Sequence, residues 1–213
     1  MIKSYHKIVI GITQRIESVI GRDEIRDTLD QRFVQWLVNA GFHPIAVPNN
    51  LSDTSHADMT ILESWLEATQ PGAIVLSGGN DIGEYSSRDN TERYLLSWAE
   101  SKCVPVLGIC RGLQMMSVWA GTDLVKREGH VGTRHQLVIS GQKNEWPSNV
   151  NSYHNWGLTS CPDGFEIAAL AEDGSIEAIK HTSLPWEGWM WHPEREVSFA
   201  PQDIKRVNKL FNG

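Results

Sequence analysis

Short apolar runs alternate along the chain with longer stretches whose apolar positions recur every three or four residues. Lys7–Thr13 reads as a first strand. Arg26–Ala40 reads as a helix, with Leu29, Phe33, Trp36, Leu37 and Ala40 on one face and Gly41 ending it. The same reading predicts strands at His43–Val47 and Ala73–Ser77 and helices at Met59–Ala68 and Thr91–Ser101. Strand Val104–Ile109 then runs directly into a helix from Arg111 to about Ala120. Short apolar strands separated by helices predict a parallel sheet covered on both faces. Past this point the pattern changes to strand-like pieces at Gln136–Ile139, Glu166–Ala171, Ser175–His181 and Gly188–Trp191, with a last helix near Pro201–Phe211. Gly121–Trp156, rich in Gly, Asn and His, reads as loops over a site. The expected architecture is an α/β three-layer sandwich, a central mostly parallel sheet flanked by helices. With no repeat, linker or low-complexity tract, residues 1–213 are expected to form a single domain.

Composition narrows the function classes. The chain is 40% hydrophobic and 21% charged, as in ordinary globular proteins, and has no apolar stretch long enough to span a bilayer. Lys3 and Lys7 precede Ile8–Ile12, but that run is too short for a signal-peptide core and lacks a small-residue cleavage site. A net charge of −7 argues against nonspecific attraction to nucleic acid or anionic lipid. Cys103, Cys110 and Cys161 form neither a disulfide framework nor a Cys-x-x-Cys metal pair, which suits a reducing cytoplasm. The nine tryptophans are expected in the core and in pocket walls.

One of these cysteines carries the chemistry. Gly108-Ile-Cys110-Arg-Gly112 sits where an apolar strand meets an apolar-faced helix, the layout of a nucleophile elbow. Small residues flank the nucleophile because the chain reverses sharply there. The unpaired N–H groups and dipole at the start of the following helix favour negative charge on the sulfur. A cysteine nucleophile needs a base, and the base an orienting partner. Trp191-His192-Pro193-Glu194 supplies both. Pro193 forces His192 into an extended conformation, and side chains two apart on an extended chain face the same way. A third strand ends in Ser77-Gly-Gly-Asn-Asp81, a turn able to offer N–H groups to an oxyanion. The expected donors are the N–H of Arg111, next after the nucleophile, and that of Gly79.

Taken together and in order, Ser-Gly-Gly-Asn-Asp81, Gly-Ile-Cys110-Arg-Gly-x-Gln114 and Trp-His192-Pro-Glu194 resemble the class I glutamine amidotransferase-like hydrolases of flavodoxin-like fold. Within these, the resemblance is to the γ-glutamyl-γ-aminobutyrate hydrolase group. It implies a Cys110–His192–Glu194 triad, an oxyanion hole completed by Gly79, and contact of Gln114 with a glutamyl group. Gly11-Ile-Thr-Gln-Arg15, Asn151-Ser152-Tyr153-His154 and Ile176-Glu-Ala-Ile179 also look like family segments, which places Arg15, Asn151, Ser152, Tyr153 and His154 at the substrate. His154-Asn-Trp156 and Lys180 depart from the usual γ-aminobutyrate pattern. With Met190-Trp-His-Pro-Glu-Arg-Glu196 they look closer to the γ-glutamyl-CDP-amidate hydrolases of capsular phosphoramidate synthesis. Arg15, Arg111, His130, Arg134, Lys180 and Arg195 are then candidates to neutralise a diphosphate.

The resemblance implies hydrolysis of a γ-glutamyl amide through a γ-glutamyl thioester. The substrate is expected to be a small molecule, nucleotide-linked if the likeness to the CDP-amidate enzymes holds. No metal, organic cofactor, nucleic acid, membrane or partner protein is expected to be required. Two other readings stay open: a glutaminase subunit passing ammonia to a synthetase, and a binding module that has kept the fold without the chemistry.

Overall fold

The computed structural model describes residues 8–51, 60–140 and 145–213. Lys3, Lys7 and Met59, used above, lie outside them. Strands β1 (Val9–Thr13), β4 (His43–Val47), β5 (Ala73–Leu76), β6 (Val106–Ile109), β9 (Val138–Ile139), β12 (Phe165–Leu170), β13 (Ile176–His181) and β14 (Trp186–Trp189) build one eight-stranded sheet, in the order β4-β1-β5-β6-β14-β13-β12-β9. The first five in that order run parallel. From β13 outward the pairing is antiparallel, so the sheet is mostly parallel, as expected.

The central strands β5 and β6 are buried at every position, which explains why they read as continuous apolar runs rather than alternations. Helices cover both faces. On one face, α1 (Gln31–Asn39) and α5 (Pro201–Asn212) bring Phe33, Trp36, Leu37, Val207 and Phe211 against the inward residues of β1 and β14. On the other, α2 (Thr60–Thr69), α3 (Ser86–Lys102) and α4 (Arg111–Trp119) pack Leu62, Leu66, Leu95, Leu96 and Met116 against β5 and β6. The expected tryptophan placement holds for Trp36, Trp186, Trp189 and Trp191, all essentially inaccessible.

Three expected elements differ. The helix expected from Arg26 starts at Gln31, where the Asp30 side chain accepts the Arg32 N–H at 2.8 Å as an N-cap. The residues before it, Ile25–Thr28 (β3), instead pair antiparallel with Arg15–Ser18 (β2) in a largely exposed hairpin. The helix expected from Thr91 starts at Ser86, because its first turns bury Arg88 and Asp89 rather than apolar residues and leave no apolar stripe. The segment expected to be loops, Gly121–Trp156, holds paired strands. There β8 (Val131–Gln136) pairs with β10 (Asn149–Tyr153), and β7 (Leu124–Lys126) pairs with β11 (Trp156–Leu158). Most of β8 faces solvent, so its residues carry no apolar alternation.

Candidate active site

At the end of β6 the chain turns through Cys110 at φ 52°, ψ −102°, a conformation outside the ordinary left-handed well, and enters α4 at Arg111. Holding a non-glycine residue there costs of order 1–3 kcal/mol and persists only where the surroundings enforce it. Here the enforcement is visible. The Cys110 N–H donates to the Trp189 carbonyl at 2.7 Å, locking the turn to the end of β14. A Cβ on Gly108 would lie 2.6 Å from the Gly112 carbonyl carbon, and one on Gly112 would strike the backbone of Leu76 on β5. The two glycines let α4 descend directly onto the sheet.

His192 follows β14 with φ −110° and ψ 92°, extended as expected of a residue before proline. The chain does not stay extended, however: Pro193–Arg195 form one turn of 3₁₀ helix, with proline in its favoured first position. That turn brings Glu194 back, so its Oε1 lies 2.6 Å from His192 Nδ1. Both side chains are buried. Burial opposes a proton on His192, but the adjacent Cys110 sulfur, and after it the Glu194 carboxylate, outweigh that cost and raise the imidazole to about 9.

Asn151 grips His192 from behind, accepting the His192 N–H at 3.0 Å and donating to the His192 carbonyl at 2.8 Å. On the other side the Gly78 backbone lies so near the ring that a Cβ there would sit 2.7 Å from His192 Cε1.

The glycine turn is fastened by Arg88. This fully buried guanidinium donates from Nη2 to the Ser77 and Gly78 carbonyls at 2.8 and 3.0 Å, and from Nη1 to Asn80 Oδ1 at 3.2 Å. Arg88 pairs with Glu92, which also pairs with Arg111, and Arg111 reaches Asp89 as well. The carboxyl of Glu92 is disfavoured by burial, yet Arg111 and then Arg88 hold it below the usual carboxylate range. One buried network therefore connects the turn at Ser77–Asn80 with the first residue of α4. Sequence reasoning missed Arg88, Asp89 and Glu92; their only signal was a charged i, i+4 pair, which normally marks a solvated helix face.

Between these elements lies a cavity of about 430 Å³ bordered by Cys110, His192, Gly79, Gln114, Arg15 and Tyr153, among others. Gln114 donates from Nε2 to the Trp156 carbonyl at 3.0 Å, and the Trp156 indole donates to Asp81 at 3.0 Å. Asn151 and Ser152 do not border the cavity; the Ser152 hydroxyl donates to the His130 carbonyl at 2.7 Å. His154 does border it, but its Nδ1 lies 2.9 Å from the Trp156 carbonyl and its Nε2 points at Glu177. Of the six candidate cations, Arg15 and Arg195 border the cavity with solvent-accessible guanidinium groups, each beside a carboxylate: Arg15 is 3.0 Å from Glu17, and Arg195 is 3.7 Å from Glu194 and lies over the Tyr153 ring at 4.8 Å. Arg111 borders the cavity too, but its guanidinium is consumed by Asp89 and Glu92. His130 is buried beside Asp173, Arg134 pairs with Glu196, and Lys180 lies on a separate depression with Glu166.

Residues 24–210 match the family model of class-I glutamine amidotransferases. The chain belongs to that family. Among its relatives is the γ-glutamyl-CDP-amidate hydrolase of Campylobacter jejuni, 31% identical over 195 residues that cover 88% of this chain and 90% of the relative. A subunit of the glutamine-hydrolysing GMP synthase of Methanothrix thermoacetophila is 29% identical over 167 residues, 70% of this chain and 88% of the relative. A solved structure from Thermoplasma acidophilum, assigned as a GMP synthase subunit, superposes with a TM-score of 0.71 at 21% identity, covering 98% of this chain and 96% of the other. The class-I amidotransferase fold thus accounts for the sheet order and for the elbow between β6 and α4. Among the described residues no helix is long and apolar enough to cross a membrane.

Proposed function

We propose that this chain, acting as a single catalytic domain, hydrolyses a γ-glutamyl amide with Cys110 as nucleophile, His192 as acid and base, and Glu194 as the orienting carboxylate. The observation that carries the reading is the strained turn at Cys110, opening on the same cavity as an imidazole whose far nitrogen is held by a buried carboxylate at 2.6 Å. The Cys110 sulfur attacks the γ-carbonyl carbon, and the N–H groups of Gly79 and Arg111 receive the oxyanion. As the tetrahedral intermediate collapses, the C–N bond breaks and the proton on His192 goes to the departing nitrogen. A γ-glutamyl thioester is left on the sulfur. His192, now neutral, takes a proton from water as the water attacks the thioester, and glutamate departs as the sulfur regains its charge. Gln114 and Tyr153 border the space for the glutamyl group.

For the leaving group we propose cytidine diphosphoramidate, released from γ-glutamyl-CDP-amidate in a cytoplasmic step of capsule synthesis. The Campylobacter jejuni relative supports this, as do Arg15 and Arg195, which set two cations on the cavity where a diphosphate would lie. The GMP synthase relatives favour a second reading, in which free glutamine is the substrate and a partner synthetase takes the ammonia.

Glutamate release from γ-glutamyl-CDP-amidate, γ-glutamyl-γ-aminobutyrate and glutamine, measured at equal concentration with wild type and Cys110→Ala, tests these readings. The expected result is preferential turnover of the nucleotide amide, abolished by Cys110→Ala. Preference for γ-glutamyl-γ-aminobutyrate would remove the nucleotide assignment but keep the chemistry. Turnover of glutamine only with an added synthetase would select the second reading. Activity unchanged in Cys110→Ala would refute both.

A further inference from the structure

Beside the β8–β10 strand pair, four side chains from three separate segments turn their ligating atoms toward one point. They are His130 and His135 at the start and near the end of β8, His154 just after β10, and Glu177 on β13. One ligating atom from each lies within 4.8 Å of all the others. His130, His154 and Glu177 are buried. Among the described residues, His130 Nδ1, His135 Nε2, His154 Nε2 and both oxygens of Glu177 have no hydrogen-bond partner. The closest approaches, 3.7 Å from His130 Nδ1 and 3.5 Å from His154 Nε2 to Glu177 Oε1, are too long for hydrogen bonds. A buried carboxylate with both oxygens unmatched is among the costliest arrangements a fold can carry.

The outer nitrogens of two of these rings are already engaged. His130 Nε2 meets Asp173 at 3.0 Å, and His154 Nδ1 meets the Trp156 carbonyl at 2.9 Å. With the outer nitrogens on those acceptors, His130 Nδ1 and His154 Nε2 are left facing inward as ligand atoms. Carboxylate and carbonyl backing of this kind is how metal-bound imidazoles are oriented. Three imidazole nitrogens and one carboxylate oxygen suit Zn²⁺. With bonds of about 2.0–2.1 Å, a tetrahedral ion needs its ligand atoms roughly 3.3 Å apart, close to the 3.5 and 3.7 Å pairs seen here.

We propose that His130, His135, His154 and Glu177 bind one Zn²⁺ in a closed, structural site that ties the β8–β10 strand pair to β13. All four positions are filled by protein, so the ion has no open place for substrate. His130 and His135 stand at a His-x4-His spacing found in zinc motifs, but the other two ligands, His154 and Glu177, follow 19 and 42 residues after His135 with no paired Cys or His beside them, so the spacing alone did not mark a metal site.

The test uses full-length protein with any affinity tag removed, loaded with Zn²⁺ and desalted, with metal measured by mass spectrometry. One equivalent per chain is expected. Replacing it with Co²⁺ should give the visible bands of a tetrahedral nitrogen–oxygen site. At free zinc a hundredfold above the dissociation constant, the melting temperature should rise by roughly 5–10 °C over chelated protein. His135→Ala, at the half-exposed ligand, should stay folded and weaken zinc binding at least about tenfold; Glu177→Gln should do the same. Folded wild type that retains no zinc and shows no thermal shift would overturn the proposal. So would stoichiometric zinc retained equally by His135→Ala, which would place the metal elsewhere.

Discussion

Gly108→Ala puts the geometry of the elbow to a quantitative test. The added methyl would lie 2.6 Å from the Gly112 carbonyl carbon and 2.6 Å from Met116 Sδ. The thioether can swing away, but the Gly112 backbone is the first turn of α4 and cannot. Ordinary contact begins near 3.4 Å, so the N-terminus of α4 must move off the sheet by about 0.8 Å, the difference between those distances. Overpacking of this kind costs roughly 1–3 kcal/mol, and removing a strand glycine returns about 0.5–1, leaving a loss of up to about 2.5 kcal/mol. The effect on rate should be larger. Cys110 and the Arg111 N–H ride on that turn, and a misplacement near 1 Å costs about a hundredfold in turnover. Urea denaturation gives the first quantity and glutamate release at saturating substrate the second. A Gly108→Ala enzyme of unchanged stability and turnover within about twofold of wild type would show that the close approach of α4 to β6 has no part in positioning the sulfur.

Two further outcomes follow from the charges. Folded His192 keeps its proton to about pH 9, whereas the unfolded chain loses it near 6.5. The stabilisation is therefore complete below pH 6.5 and is lost as pH rises toward 9. Cys110→Ala removes the leading influence holding that proton, so the His192 ring resonances should titrate at lower pH than in wild type. An unchanged NMR titration would contradict the coupling. Glu92→Gln should destabilise the fold by about 3–5 kcal/mol in urea at neutral pH, because it takes the carboxylate from the buried Arg88 guanidinium and leaves Arg111 with Asp89 alone. In wild type this contribution is present above about pH 4.5 and fades as acid protonates Glu92, so a loss below about 1 kcal/mol would argue that the network is dispensable.

The parts of this molecule legible in its sequence are those whose physics is local. Gly-x-Cys-x-Gly announces a steep reversal because the steric demand falls on the flanking residues themselves. His192-Pro193 announces an extended histidine because proline constrains its immediate predecessor. The apolar strands β5 and β6 are legible because burial on both faces leaves no polar position. What remained hidden depends on partners distant in the chain. Arg88 and Glu92 look like a solvated helical pair until Ser77, Thr13 and Arg111 fold over them. The hold of Asn151 on the His192 backbone is equally invisible until β10 meets the residue three positions past the end of β14. Strand β8 escaped the periodicity reading because it buries no alternating face.

Asn151 does for His192 what a neighbouring strand would do for a residue in mid-sheet, satisfying its N–H and carbonyl at once. His192 is thereby welded to the same strand that leads outward to Tyr153 and the rim. Substitution is consequently free to act on the side chains beyond that weld, at Tyr153, Asn155 and Trp156 on the cavity, while the backbone beneath them is bound to keep its course. Such a scaffold can reshape the rim of its cavity without re-aiming the imidazole behind it.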